Sequence, residues 1–312
     1  MTTRLRVALL AGGKSGEREV SLAGARGVLA ALDKQKYDVR QYDPASDLAR
    51  LAADAAGLDM AFILLHGPFG EDGTMQGFLD LLGLPYQGSG VLGSALAMNK
   101  NLAKIHYKQA GLRVAEWRMA SPGDIERPEN LSAPLRFPLV VKPVGQGSSL
   151  GMSIARDNGE LAAGLGRAFG YDREVMVEEF IRGREITGGV LGNDDLQALP
   201  LVEIIPGKEY AFFDYEAKYK AGATREICPA DFPEEITRQA QDYAVRAHGA
   251  LHLRGYSRTD MIVSEGGEVY VIETNTIPGM TPTSLLPQAA QAVGYSFSEL
   301  LDLLIGLALE RQ

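Results

Sequence analysis

An α/β fold with a parallel sheet at its amino-terminal end is what this sequence predicts, and three stretches predict it. Over residues 4–65, apolar strand-like runs alternate with helical patterns, the β-α-β order of a parallel sheet. At 139–142 an apolar run ends in a lysine and is joined to a second strand by a loop of three glycines and two serines. From Arg258 to Gly279, two β-branched runs flank Glu265-Gly266-Gly267-Glu268, the signature of a hairpin.

Composition narrows the function. A chain of 312 residues holds two or three domains, and 46% hydrophobic with 23% charged residues is the balance of a soluble globular protein. The net charge of −9, without a basic block, argues against nucleic acid or an anionic membrane as partner and leaves small molecules. Cys228 is the single cysteine, so there is no intramolecular disulfide and no thiolate metal site, which fits a reducing compartment. The apolar run 7–11 is too short for a signal-peptide core, and no 18-residue apolar stretch occurs; a cytoplasmic enzyme is expected.

The first strand, 4–10, runs through Gly12 and Gly13 into a helix ending near Leu32. Its glycines would let backbone N–H groups face an anion, but it is neither a dinucleotide fingerprint nor a P-loop, so nucleotide binding is not expected there. Glu17, at the helix start, is either a charge favoured by the helix dipole or a partner for a substrate ammonium. Strands at 37–43 and 60–65, with a helix at 46–56, extend the sheet. The third strand ends in His66-Gly67-Pro68-Phe69-Gly70-Glu71-Asp72-Gly73. Ligands gather at the carboxyl ends of parallel strands, which makes His66 a substrate-site candidate beside its reading as a structural histidine. A helix at 74–82 leads to Gln87-Gly88-Ser89-Gly90, where the first domain closes.

Residues 94–111 read as one helix, on which Lys100 is a solvated charge or a phosphate contact. Pro122, Pro128, Pro134 and Pro138 exclude a continuous helix in the next section. The strand ending at Lys142 and its glycine-serine loop form a flap able to fold over a polyphosphate, with N–H and hydroxyl donors above and the lysine charge at the base. After a helix at 158–169, the edge of strand 175–181 can bond an adenine through its backbone, and Glu185 can accept from ribose hydroxyls. Strands follow near 186–191 and 197–204. The segment 206–224, irregular and rich in aromatics and charge, has the profile of an active-site lid, with Lys218 and Tyr219 as its functional pair. Helix 233–249 and the closing helix 299–310, capped by Ser296, are structural.

The hairpin carries the sharpest expectation. If Gly266-Gly267 is a two-residue type I′ turn, Asp260 falls opposite Glu273 and Arg258 opposite Asn275, while Glu273 and Asn275 share a face. Two carboxylates and an amide oxygen are hard ligands of the kind Mg²⁺ takes when it also holds substrate phosphates. The alternative is an edge hairpin with solvated charges.

Several motifs stand in one order: Gly12-Gly13-x-Ser15-x-Glu17-Arg18-Glu19-Val20-Ser21, His66-Gly67-x-x-Gly70-Glu71-Asp72-Gly73, Lys142-Pro143, Gly147-Ser148-Ser149-x-Gly151-Met152-Ser153, Asp214-Tyr215-x-x-Lys218-Tyr219, Arg258-x-Asp260 and Glu273-x-Asn275-Thr276-x-Pro278-Gly279-Met280. In that combination the chain resembles, over its whole length, the D-alanine–D-alanine ligase family of the ATP-grasp superfamily. The resemblance implies a three-domain ATP-grasp architecture: a Rossmann-like domain at 1–93, a central subdomain at 94–183, and a carboxy-terminal one at 184–312 that carries the lid at 206–224. ATP would lie between the last two.

It further implies ligation of two D-alanines through a D-alanyl phosphate, for peptidoglycan precursor synthesis, by a cytoplasmic homodimer with no nucleic acid or membrane partner. A ligase with D-lactate or D-serine as acceptor is the alternative, and a nucleotide-binding regulator on a retired ligase scaffold is the alternative from another class. Position by position, Asp260, Glu273 and Asn275 would hold Mg²⁺, as two ions or with Mn²⁺ in their place. Lys100, Lys142, Ser149, Glu178, Ile181, Glu185 and Lys218 would bind ATP, with the three lysines and Ser149 on the phosphates and Glu185 on the ribose. Glu17 would hold the first D-alanine ammonium, with His66 nearby. Arg258 and the Gly279 N–H would take the oxyanion, Ser284 and Leu285 the second carboxylate, and Glu17, Ser148 and Tyr219 would form a triad tying lid to first domain. Phe213 departs from a tyrosine that many relatives carry.

Overall fold

Val7, Ala8, Leu9 and Leu10 are all fully buried, because the strand that contains them is covered on both faces, as parallel strands are. This strand, β1 (Leu5–Leu10), lies between β2 (Tyr37–Tyr42) and β3 (Met60–Ile63) in the parallel order β2-β1-β3. On one face, Val7, Leu9, Met60 and Phe62 pack with Ala25 and Val28 of helix Arg18–Ala31 and with Leu300 and Leu304 of helix Phe297–Leu309. The chain's end thus covers its beginning. On the other face, Ala8, Leu10, Ala61 and Ile63 meet Leu51, Met75 and Leu79. The computed structural model describes residues 4–207 and 224–310.

A second, antiparallel sheet comprises β4 (Trp117–Ala120), β5 (Leu139–Pro143), β6 (Ser153–Ala155) and β7 (Val175–Glu179) in the order β4-β7-β5-β6. Helix Asn158–Phe169 presents Leu161, Leu165 and Ala168 at the i, i+4, i+7 spacing of one helical face, and these pack on Leu139, Val141, Val175 and Val177. The third sheet runs β11-β10-β8-β12-β13, with β9 (Gln197–Ala198) beside β8. Its strands are β8 (Gly183–Gly192), β10 (Val202–Pro206), β11 (Thr224–Ile227), β12 (Gly255–Ser264) and β13 (Val269–Asn275). Ala240, Ala244 and Ala247 of helix Glu234–Ala250 and Tyr107 of helix Lys100–Gln109 share a core with Met261 and Val271 of this sheet.

Three local expectations are corrected. The single helix expected over 94–111 is two, Val91–Met98 and Lys100–Gln109. Asn99 leaves the helical region at φ −85°, ψ 98°, and its side-chain oxygen accepts the Leu102 N–H at 3.0 Å, so an N-cap interrupts the pattern. The strand expected over 197–204 divides into β9 and β10 around Leu199-Pro200-Leu201. The hairpin turn is not the two-residue type I′ form. Ser264 pairs with Glu268, donating its N–H to the Glu268 carbonyl at 2.8 Å, and the Gly267 N–H donates to the Ser264 carbonyl at 2.9 Å. Of the two glycines only Gly267 has positive φ, +82°, the pattern of a three-residue loop closed by a left-handed residue.

That extra residue shifts the pairing next to the turn by one, so Met261 faces Val271 and Val263 faces Val269. A bulge between Asp260 and Met261 then absorbs Ile272 and restores the register, leaving Asp260 opposite Glu273 and Arg258 opposite Asn275. The polar end of the hairpin therefore has the expected pairing although its turn does not. No single helix among the described residues is long and apolar enough to cross a membrane.

Because Gly267 holds a left-handed conformation, Gly267→Ala should lower the unfolding free energy by about 1–2 kcal/mol in urea titrations, with no change in far-ultraviolet circular dichroism. No measurable loss would contradict the turn geometry.

Candidate active site

Two adjoining cavities lie where the three sheets meet, and the polar end of the hairpin separates them. The larger, about 610 Å³, is lined by Glu17, His66, Glu71, Ser148, Arg258, Asn275, Gly279, Ser284 and Leu285. The smaller is a slot between the second and third sheets, lined by Lys142, Ser149, Glu178, Ile181, Glu185 and Asp260. Lys100 and Glu273 line both, 3.5 Å apart.

The larger cavity is assembled by loops from every sheet. Glu17 follows β1, His66 and Glu71 follow β3, and Ser148 belongs to the loop between β5 and β6. The Ser148 hydroxyl donates to Glu17 Oε1, joining the first unit to the glycine-serine loop. Space there is tight: a Cβ on Gly147 would come within 3.1 Å of Glu17 Oε2, and one on Gly67 within 2.9 Å. Ser148 and Ser149 both take the left-handed region, φ +51° and +57°, at a cost of about 1–3 kcal/mol each. By that turn consecutive serines line different cavities.

Opposite them, the Arg258 guanidinium donates to Asp260 through Nε and Nη2, each at 2.8 Å. Burial alone would lower the Arg258 pKa, but Asp260, Glu273 and Glu71 together hold it above its ordinary value. Asn275, with its amide oxygen accepting from Arg258 at 2.7 Å, directs its nitrogen to Glu71 Oε1 at 3.2 Å. Glu71 Oε2 accepts the Gly67 N–H at 2.7 Å, and burial together with nearby Glu17 pushes its carboxyl up to about 8. Burial holds His66 below its ordinary value, outweighing Glu17. Ser284 is the N-cap of helix Leu285–Ala292, and its Oγ accepts the Thr281 N–H at 3.1 Å. The N-terminus of that helix, whose Ser284 and Leu285 line the cavity, is the kind of position that favours an anion.

In the slot, Lys142 Nζ lies 2.6 Å from Glu178 Oε1, while Lys104 pairs with Oε2. Burial by itself would raise the Glu178 pKa, but the two ammonium groups hold it at about 2. Lys100 Nζ donates to the Gln146 carbonyl at 2.7 Å, tethering the flap.

Asp260, Glu273 and Asn275 fit a hard cation. Asp260 Oδ1 accepts from Arg258 and from Thr187 Oγ1 at 2.7 Å, and Oδ2 from Arg258, which among the described residues leaves one carboxylate lone pair uncommitted. Glu273 reaches both cavities, and Asn275 lines the larger one. Lys218, Tyr219 and Phe213 lie outside the described residues. Glu71 and Lys104 were not named as site residues from sequence. Glu71 stood in view within the glycine-dense loop, and Lys104 falls four residues after Lys100, hence on the same helical face.

Known proteins resemble the chain in both sequence and fold. Residues 40–89 match the family model "D-ala D-ala ligase N-terminus" and residues 106–306 match "D-ala D-ala ligase C-terminus". A D-alanine–D-alanine ligase of Desulfotalea psychrophila is 62% identical over 309 residues, covering 99% of this chain and 96% of the relative; one from Syntrophobacter fumaroxidans is 59% identical, covering 99% of each. Among solved structures, the Bacillus anthracis D-alanine–D-alanine ligase complexed with ATP superposes with a TM-score of 0.84 at 35% identity, covering 98% of this chain and 97% of that one. The VanG D-Ala:D-Ser ligase of Enterococcus faecalis superposes with 0.87 at 32%, covering 98% and 100%.

Glu178→Gln would leave two buried lysines without their counter-charge, a loss of about 3–5 kcal/mol expected in denaturant unfolding at pH 7. The folded pKa lies below the ordinary 4.5. The carboxylate therefore contributes its stability in full above that value and loses it as pH falls toward 2. The gap between variant and parent should narrow as pH falls from about 4.5 toward 2; a constant gap would contradict the assigned charge state.

Proposed function

The chain belongs to the D-alanine–D-alanine ligase family, and on that premise we infer that it joins two D-alanines into D-alanyl-D-alanine, converting ATP to ADP and phosphate. The observation that carries this reading is the pair of cavities meeting at Lys100 and Glu273. An acid activated by phosphoryl transfer must reach both a nucleotide and an amine, and one junction serves both.

In this reading ATP lies in the slot, its phosphates toward Lys100, Lys142, Ser149 and Lys218, its ribose against Glu185 and its base near Glu178 and Ile181. The first D-alanine places its ammonium at Glu17, beside His66, which burial holds below its ordinary pKa. Its carboxylate oxygen bonds to the γ-phosphorus as the bond to ADP breaks, giving an acyl phosphate. Such a transfer asks for positioning and charge neutralisation more than for a covalent catalyst. The second D-alanine, its carboxylate at Ser284 and the Leu285 N–H, attacks through its deprotonated amine. Arg258 and the Gly279 N–H hold the developing oxyanion, and phosphate leaves. Asp260, Glu273 and Asn275 would hold Mg²⁺, two ions or Mn²⁺ in their place, which neutralises charge on the phosphoryl group when bound.

Three sheets support a division into units at 1–93, 94–183 and 184–312; in the same reading, 206–224 serves as the lid that Tyr219 ties to Glu17 and Ser148. We also infer a cytoplasmic homodimer that supplies peptidoglycan precursors. The relatives at 62% and 59% identity favour D-alanine as acceptor over D-serine or D-lactate.

With Mg·ATP and D-alanine, the expected products are ADP, phosphate and the D-dipeptide by mass. Turnover only with D-serine or D-lactate as acceptor would overturn the acceptor assignment. Glu273→Ala should cut kcat by at least about 100-fold, while near-normal turnover would refute its role at the junction.

A further inference from the structure

Lys104 is 1% exposed, a costly place for an ammonium group. Its pairing with Glu178 Oε2 does not account for its presence, because Glu178 already has a partner in Lys142 at Oε1, 2.6 Å away. One carboxylate is shared by two lysines. The three differ in access: Lys142 and Glu178 line the nucleotide slot, while Lys104 stands behind Glu178, with its ammonium 5.2 Å from the centre of the Trp117 ring. Trp117 is directly opposite Glu178 in the β4–β7 pairing, and its indole N–H donates to Asn101 at 2.8 Å. The wall behind the carboxylate is therefore fixed by a helix and a strand at once.

We propose that Lys104 is a positioning residue for recognition of the nucleotide base: by holding Glu178 from behind, it keeps that carboxylate ionised and turned so that Oε1 faces the slot as an acceptor. An ionised carboxylate accepts hydrogen bonds only. It welcomes a purine carrying an amino group at position 6 and repels one carrying a carbonyl oxygen there. With Oε2 committed to Lys104, the carboxylate cannot close on Lys142 through both oxygens, so Lys142 keeps donors for the ligand. Without Lys104, Glu178 is free to close on Lys142 or to take up a proton and become a donor, and either change erases the distinction between the two purines.

This proposal rests on the nucleotide reading of the slot, and the test separates the two. Calorimetric titration of the full chain with Mg·ADP and Mg·IDP should show the wild-type protein binding ADP at least tenfold more tightly. Lys104→Met, which retains an unbranched apolar stem without the charge, should weaken ADP binding tenfold or more, leave IDP affinity within about twofold, and raise the KM for ATP with little change in kcat. Lys104→Arg should recover most of the preference for ADP. A wild-type protein that does not distinguish the two nucleotides would overturn the nucleotide reading of this wall, and the proposal with it. Wild-type discrimination that survives Lys104→Met, or equal loss for ADP and IDP, would overturn the role of Lys104 alone. Should the methionine variant not fold, Lys104→Gln takes its place with the same outcomes on either side.

Discussion

Like charges crowded in one cleft are the constraint on which this structure turns. Glu17, Glu71, Asp260 and Glu273 converge within one region, and all but Glu17 press on Arg258. Carboxylates so placed repel each other unless cations or protons intervene. Arg258 takes both oxygens of Asp260, Lys100 stands by Glu273, and Glu71 is held toward its neutral form. The arrangement gathers carboxylates and their counter-charges at the junction of two cavities, the setting in which a divalent cation and a polyphosphate complement each other.

The fold exists, in this sense, to bring that junction together from distant parts of the chain. A parallel sheet delivers Glu17 and His66 on the loops after its strands, where such sheets place ligands. An antiparallel sheet delivers the flap with Ser148 and Ser149, and the third sheet delivers Arg258, Asp260, Glu273 and Asn275 on one hairpin. Helix Phe297–Leu309 buries Leu300 and Leu304 against Val7 and Leu9, so the amino-terminal loops are held in place by the carboxy-terminal segment. The Glu17–Ser148 hydrogen bond closes the circuit between the first and second units.

Much of this was legible in the residues. Strand and helix periodicity located most elements, since burial of one face repeats at 2.0 or 3.6 residues. The pairing of Asp260 with Glu273 was reached through a turn that the structure does not have. A left-handed Gly267 adds one residue to the loop and a bulge at Ile272 removes the offset. Hairpin length and bulges depend on tertiary packing, so a Gly-Gly pair could not reveal them. The break at Asn99 was missed because apolar periodicity runs through both helices, and the capping amide was the one available signal. Lys104 and Glu71 were passed over because burial of a charged side chain depends on partners far away in sequence, Glu178 at a separation of 74 residues and Arg258 much farther.

The claim that the two cavities act as one site, through an acyl phosphate formed at Lys100 and Glu273, is open to a direct isotopic measurement. Supplied with D-alanine labelled with ¹⁸O in its carboxylate, the enzyme should release inorganic phosphate carrying one labelled oxygen for each dipeptide formed, because the oxygen that attacked phosphorus leaves with it. Dipeptide formed alongside unlabelled phosphate would contradict the account.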